Sequence, residues 1–143
     1  DGSHNTSERY LYTEASSNQS LKCFVTRMPG SNFSAVMTST GNDLDLKFWV
    51  HAFGTAGTLP DLFVYIDTNT SSNHGTATLL QTFLGNDLDN DYTGNSSVWK
   101  LKTVSLNSYR TVDAVHYIYF VAQGGSGFRS DLAIDNVIID EDA

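Results

Sequence analysis

Apolar side chains recur at every second position along most of this chain, and this period constrains the fold more than any other feature. Residues 43–52 show it most clearly, because Leu, Phe, Val and Ala alternate there with Asp, Lys, Trp and His. Such alternation places one face of a β-strand on a core and leaves the other toward solvent. Comparable β-forming runs lie at 10–12, 21–27, 62–66, 77–84, 98–104, 115–122 and 130–140.

The segments between these runs are rich in Gly, Asn, Asp and Ser, which favour turns. No segment carries a helical stripe of apolar residues, and a further short strand is predicted where Phe33, Ala35 and Met37 alternate. With no linker or internal repeat, residues 1–143 are predicted to form a single domain of 15.7 kDa. About nine strands with one buried face predict an all-β fold, an antiparallel β-sandwich.

The charge balance argues against two classes of partner. The 8 Lys and Arg residues stand against 16 Asp and Glu residues, and the net charge is −8. This charge repels phosphate backbones and anionic membranes, so nucleic-acid binding is not expected. No apolar run reaches about 18 residues, so membrane insertion is not expected either. Because the chain begins at Asp1 without a Met, we expect it to be a piece of a larger secreted protein.

Five short motifs follow one another along the chain. Residues 9–17 have the sequence RYLYTEASS, residues 46–54 have LKFWVHAFG, and residues 62–65 have LFVY. Residues 99–106 have WKLKTVSL, and residues 127–137 close the series with GFRSDLAIDNV. In this order they resemble the MAM domain, an adhesive module named after meprin, neuropilin and receptor tyrosine phosphatase mu. The resemblance implies a jelly-roll sandwich that is extracellular, either secreted or on a cell surface, and that is not an enzyme.

The chain departs from that family in three ways. No segment before Tyr10 supplies the family's first strand, Cys23 is the one cysteine where animal members usually carry several, and Asn136 replaces the second Asp of the closing motif. A lone cysteine cannot form an internal disulfide, so the role of Cys23 stays open. The sheet edge left by the missing strand could accept a strand from a neighbouring molecule. Together these features predict a diverged module for adhesion or assembly, with a protein partner or self-association.

The last run contains a carboxylate, Asp135, among residues that are apolar on both faces. An ionised carboxylate in such surroundings costs several kcal/mol unless hydrogen-bond donors or a cation meet it. We therefore predict that Asp135 either anchors a loop or binds a structural Ca²⁺, as related jelly-roll domains often do. Asp131 is the second candidate ligand. Four strand residues separate the two carboxylates by roughly 13 Å, so one ion binds both only if the chain turns near Asp131.

A second acidic segment is the alternative Ca²⁺ site. Asp87, Asp89 and Asp91 follow the opening of a calcium-binding loop, but Tyr92 stands in place of its glycine and Val98 in place of its closing Glu. A solvated acidic loop is the other interpretation of this half-motif.

Aromatic side chains on the polar face of the long alternating run are candidates for ligand binding. Trp49 and His51 could stack on a sugar ring, and Tyr65 could join them if the next strand pairs in register. A loop packed over Trp49 is the alternative, and Trp99 is expected in the core. The aromatic residues keep open a second function, a carbohydrate-binding module appended to a polysaccharide-degrading enzyme, with a glycan as the partner.

No catalytic constellation is apparent. The four His residues show no metal-ligand spacing, and the chain has no Gly-x-Ser-x-Gly elbow. His116, inside a β-forming run, is expected to be a packed residue and not a base. We therefore predict that the chain is not an enzyme.

Five Asn-X-Ser/Thr sequons predict a glycoprotein if the source is eukaryotic. They lie at Asn5, Asn18, Asn32, Asn69 and Asn95.

Overall fold

The computed structural model describes residues 11–13, 23–54, 59–68, 75–88, 99–124 and 130–142. These ranges contain nine strands, two single-turn helices and one 3₁₀ turn. The strands are β1 (Leu11–Thr13), β2 (Cys23–Arg27), β3 (Ser31–Asn32), β4 (Asp43–Gly54), β5 (Asp61–Asp67), β6 (Thr78–Phe83), β7 (Lys100–Ser105), β8 (Val115–Gln123) and β9 (Ser130–Asp142). The helices are α1 (Phe33–Val36) and α2 (Gly85–Leu88), and the 3₁₀ turn is Asn107–Tyr109.

The strands form two antiparallel sheets. The four-stranded sheet has the order β1-β9-β4-β7, and the five-stranded sheet has the order β2-β8-β5-β6, with β3 also paired to β8. Most connections between consecutive strands cross from one sheet to the other, as in a jelly roll. The predicted antiparallel jelly-roll β-sandwich of about nine strands is confirmed.

The core lies between the sheets and takes alternate side chains from each strand. In β4 the inward side chains are at most 2% exposed: Leu44, Leu46, Phe48, Val50 and Ala52. Burial of one large apolar side chain stabilises the fold by about 1.5–3 kcal/mol. Phe48 meets the ring edges of Phe83 and Phe120 at centroid distances of 6.0 and 5.1 Å. The side chains between these positions on β4 point away from the core, as the period of two predicts.

The strand predicted at Phe33, Ala35 and Met37 is wrong, because the chain makes the helical turn α1 there. Phe33 is fully buried, Met37 is half-buried, and Ala35 is exposed. The N–H of Met37 donates to the carbonyl of Phe33 at 3.1 Å, which closes the turn. Residues i and i+4 lie on the same side of a strand and also on the same side of a helix. A pattern of only five residues therefore cannot distinguish a strand from a helix.

A second helical turn, α2, replaces part of the predicted acidic loop. The N–H of Gly85 donates to Asp61 at 2.9 Å, and Leu88 is buried at 1% exposure. A Cβ on Gly85 would lie 2.7 Å from the Cβ of Leu59, so no larger residue fits at the start of this turn.

The edge of the four-stranded sheet is short. β1 pairs with three residues of β9, and β9 itself has 13 residues. Within the described ranges, the rest of β9 has β4 as its one neighbouring strand. Residues 1–10 lie outside the described part of the chain, so the open edge stays a prediction.

Candidate functional site

Asp135 lies at an irregularity in the pairing of β4 with β9. The register shifts between Lys47 and Trp49, and Asn136 has a φ of 49°, in the left-handed region. This bulge reverses which residues of β9 face the core: even-numbered residues face it before the bulge and odd-numbered residues after it. Ile138 is therefore 51% exposed, although the sequence predicted burial on both faces. Asp135 is half-buried, and its Oδ1 accepts the N–H of Asn136 at 2.7 Å. The carboxylate therefore sits at a strand kink. Before the kink Leu132, Ala133 and Ile134 are buried on both faces, as predicted, and after it Ile138 is exposed.

The two predicted Ca²⁺ ligands of β9 do not converge. Asp131 lies opposite Phe53 and Asp135 lies opposite Trp49, within one continuous strand. Four strand residues span about 13 Å, whereas Ca²⁺ takes roughly six to eight oxygens at 2.3–2.6 Å. These two carboxylates do not fit one shared ion. Among the described residues, no group of three or more His, Cys, Asp or Glu is placed to hold a metal.

The alternative Ca²⁺ segment is only partly described. Asp87 lies in the helical turn α2, whereas Asp89 and Asp91 lie outside the described ranges. Calcium binding there stays a prediction.

A loop anchor that the sequence did not predict is Glu141, near the end of β9. Its carboxylate accepts hydrogen bonds from the N–H and hydroxyl of Thr38, from the N–H of Ser39 and from the amide of Asn42, at 2.7 to 3.0 Å. These donors, the Thr38 N–H first among them, lower the pKa of Glu141 to about 2. The carboxylate fixes the loop between α1 and β4. The acidic run at the end of the sequence gave no sign of this role.

Trp49 and His51 lie on the outward side of β4, as predicted, and both are half-buried. Trp99, expected in the core, lies on the same side, with its ring 5.6 Å from that of His51 and inclined by 44°. Leu101 of β7 lies opposite Trp49 and is 49% exposed. Ile138 of β9 lies opposite Lys47 on this side. We call these five residues the tryptophan face: Trp49, His51, Trp99, Leu101 and Ile138.

The expectation that Tyr65 joins Trp49 and His51 is wrong. β5 does not pair with β4, and Tyr65 lies opposite Tyr119 and Leu79 in the five-stranded sheet. Its side chain points outward on the far side of the sandwich, because Val64 and Ile66 on either side of it face the core.

The outward side of the five-stranded sheet carries aromatic side chains, but those at its centre are buried. Tyr119 is 0% exposed and Val121 is 2% exposed, although both alternate with core residues of β8 and face away from the core. Nearer the start of β8, the guanidinium of Arg27 lies over the ring of Tyr117 at 5.0 Å.

His116 is buried at 5% exposure on the inward side of β8, as a packed residue. Its ring stacks on Phe33 at 5.4 Å and meets Tyr109 at 5.3 Å. The Nδ1 atom has no hydrogen-bond partner. This histidine lies between aromatic rings and away from the tryptophan face.

One sequon and the cysteine lie within the described ranges. Asn32 is the residue before α1, and its amide donates to Asp113 at 2.8 Å while its carbonyl oxygen accepts the hydroxyl of Ser34 at 2.9 Å. Cys23 begins β2, opposite Gln123. The sequons at Asn5, Asn18, Asn69 and Asn95 lie outside the described residues, and glycosylation stays a prediction.

No protein-family model matches the chain, and a search of curated proteins finds no match. The MAM resemblance therefore stays a prediction. None of the helices in the described ranges has the length and apolar character needed to cross a membrane.

One solved structure to which the chain is similar is the K3 cleaved adhesin domain of Lys-gingipain from Porphyromonas gingivalis w83. The sequence identity is 19% and the TM-score is 0.49, over 81% of this chain and 62% of that chain. The chain thus spans less than two thirds of the length of that structure.

Proposed function

We propose that this β-sandwich is a non-catalytic extracellular module that mediates adhesion or assembly by binding proteins. The tryptophan face carries this proposal. Its rings and aliphatic groups lie on the outward side of the four-stranded sheet, outside the core between the two sheets. Contiguous apolar groups on an outer surface mark sites of interaction, and Trp is enriched in such sites.

The sequence resemblance supports the same function. Trp49 and His51 belong to the motif at residues 46–54 that resembles the adhesive MAM domain, and Trp99 begins another of its motifs. An adhesive member of that family is secreted or displayed on a cell surface, which fits the absence of any expected nucleic-acid or membrane partner.

An adhesion assay tests this proposal. Beads coated with the chain are mixed with one another, and separately with cells whose surface proteins are intact or removed by trypsin. We expect the beads to cluster, or to bind cells in a manner that trypsin abolishes. Light scattering after size-exclusion chromatography measures self-association independently. A strict monomer whose beads neither cluster nor bind cells would contradict the proposal.

A second candidate function is a carbohydrate-binding module. The observation that favours it is the half-buried Trp49 with the carboxylate of Asp135 directly opposite it on the sheet, since a ring and a hydrogen-bonding group together can hold a pyranose. Affinity electrophoresis in polysaccharide gels tests it. Retention that is lost in Trp49→Ala would support it, and free migration in every gel would exclude it.

A further inference from the structure

The strand β6 (Thr78–Phe83) differs in composition from the rest of this acidic chain. It ends the five-stranded sheet, and within the described ranges β5 is its one neighbouring strand. It lies inside residues 68–86, the longest run of the chain without Lys, Arg, Asp or Glu, although the whole chain has a net charge of −8. Two Thr residues and a Phe among its six residues favour extended structure. β6 is therefore an uncharged strand at an edge of its sheet.

The other edges of the sandwich carry features that oppose pairing with another molecule. β7 has Lys100 and Lys102 on its inward side, and β2 ends on Arg27. β1 has three residues, and the part of β9 beyond β1 carries four acidic residues. Proteins use lysines, inward-pointing charges and short strands to prevent association through sheet edges. Among the described edge strands of more than three residues, β6 alone has no charged side chain.

Most of β6 is open to solvent. Leu79 is 48% exposed, Gln81 is also exposed, and of the six residues Phe83 alone is buried. In an edge strand of an antiparallel sheet, alternate residues direct their N–H and C=O groups away from the neighbouring strand. These groups form a template on which a further strand can pair.

The charged groups nearest to β6 have contacts within their own chain. Asp61 and Asp67 lie at the two ends of β5 and accept hydrogen bonds from the Gly85 N–H and the Thr76 hydroxyl, at 2.9 and 2.6 Å. The ammonium of Lys102 lies over an aromatic ring of β6 at 5.7 Å, and Lys102 is on the inward side of β7. The outer edge of β6 is thus uncharged along its whole length.

We propose that β6 pairs with β6 of a second copy of this chain, antiparallel and about a two-fold axis, so that the two five-stranded sheets form one continuous sheet. In such a pair residue i faces residue j and residue j faces residue i. Because no residue of β6 is charged, no register of the pair sets like charges opposite each other. Elsewhere two copies of net charge −8 repel, so they approach at the lowest electrostatic cost through this edge.

This inference goes beyond the adhesive function proposed above. It names a second copy as the partner, and its surface belongs to the five-stranded sheet, whereas the tryptophan face belongs to the four-stranded sheet. It also concerns a different edge from the one that the sequence predicted beside β9.

The size of the contact indicates a weak pair. Six strand residues span about 20 Å, and a bulge at Leu80, which has no partner in β5, shortens the regular stretch. A contact of this size is smaller than the interfaces of stable dimers. Many weak pairs nevertheless act together when many copies are displayed on one surface. We therefore expect a reversible dimer in solution and strong association between coated beads.

Sedimentation velocity of the intact chain over a series of protein and salt concentrations tests the proposal. We expect a monomer–dimer equilibrium that shifts toward the dimer as salt is raised, because salt screens the repulsion between two copies of net charge −8. A dimer held by ion pairs would respond in the opposite sense. A strict monomer under all conditions, a dimer that salt weakens, or growth into fibres would each overturn the proposal.

The decisive variant is Leu79→Lys, and Val25→Lys is its matched control. Leu79 and Val25 are 48% and 38% exposed, and each lies on the outward side of an edge strand of the same sheet, β6 and β2. Both variants change the net charge equally, and thermal unfolding verifies that each is folded. Lysine on β6 sets two ammonium groups in one short contact, so we expect Leu79→Lys to weaken dimerisation by roughly tenfold or more and Val25→Lys to leave it unchanged. A dimer of Leu79→Lys that is as strong as that of Val25→Lys would overturn the proposal.

Hydrogen exchange followed by mass spectrometry locates the contact in the natural chain. We expect the amides of residues 76–84 to exchange more slowly as protein concentration rises, whereas those of β7, the edge strand of the other sheet, do not change. Concentration-dependent protection that omits residues 76–84 would overturn the pairing of β6.

Three outcomes separate this inference from the adhesive function. If the chain is strictly monomeric and its beads still bind cells, the inference fails and the adhesive function stands. If the dimer forms through β6 but coated beads neither cluster nor bind cells, the inference stands and the adhesive function fails. If Leu79→Lys loses the dimer and its beads still bind cells, both stand and use different surfaces.

Discussion

The two outer faces of the sandwich differ in what lies at their centres. On the five-stranded sheet, Tyr119 and Val121 face outward and are nevertheless almost completely buried. On the four-stranded sheet, Trp49 and His51 face outward and are half-buried, with Leu101 half-exposed beside them. One outer face therefore has a second buried layer, and the other keeps apolar groups partly exposed to solvent.

The sequence already contains this difference. In β8 the run from His116 to Ala122 is apolar or aromatic at nearly every position, which is typical of a strand covered on both faces. In β4 apolar residues alternate strictly with Asp, Lys, Trp and His, which is typical of a strand with one face toward solvent. The loss of alternation in β8, and not its aromatic content, indicates that the outward side of this strand is buried.

The largest expected effect comes from truncation of a ring on each face. Tyr119→Ala removes a fully buried ring and leaves a cavity, so we expect a loss of about 3–5 kcal/mol in the free energy of unfolding. Trp49→Ala removes a larger but half-buried ring, so we expect a clearly smaller loss. Urea denaturation of both variants measures the difference. Equal losses would show that the faces are equally closed.

The strands and the sandwich of two packed sheets followed from the period of two, because hydrophobic burial acts on every second side chain. The sheet to which each strand belongs did not follow. Tyr65 and Trp49 both stand on outward positions, and a pattern along one strand does not reveal which sheet that strand joins. The connection from β4 to β5 crosses from one sheet to the other. Trp49 and Tyr65 therefore lie on opposite sides of the sandwich, whereas a hairpin between the two strands would have placed them side by side.

The candidate site was predicted in part for a similar reason. Trp49 and His51 were identified from their alternation with core residues, whereas Trp99 was expected in the core and lies on the outward side. Asp135 was predicted to anchor a loop or to bind an ion because its neighbours are apolar, but the bulge at Asn136, which changes the phase of the strand there, was not predicted. The anchor Glu141 was missed because its donors come from residues about a hundred positions away in sequence.

The role of Glu141 makes the four-stranded sheet sensitive to acid. Its pKa is lowered to about 2, so its stabilising contribution is present above the ordinary Glu pKa and is lost as pH falls toward 2. We expect Glu141→Gln to be less stable than the natural chain at pH 7 and the two stabilities to converge as pH approaches 2. Urea denaturation across this pH range measures both.

Asp67→Asn on the five-stranded sheet is a comparison variant for this test. Asp67 accepts hydrogen bonds from the Thr68 N–H at 2.7 Å and the Thr76 hydroxyl at 2.6 Å, also at the end of a strand. An Asn side chain at this position can still accept hydrogen bonds. A difference between Glu141→Gln and the natural chain that is the same at every pH would contradict the assignment of Glu141 as an ionised anchor.

The smallest expected effect concerns Lys47, on the outward side of β4. Hydrogen bonds to Asp140 and then Asp142 raise the pKa of Lys47 above its ordinary value, so its contribution to stability is present below that ordinary value and is lost only in strongly alkaline solution. Because the pair is partly exposed, Lys47→Gln should lower stability slightly at pH 7, and salt should reduce the difference. Urea denaturation at low and high salt measures the difference. A loss of stability that salt leaves unchanged would contradict the assignment of Lys47 to a partly exposed ion pair with Asp140 and Asp142.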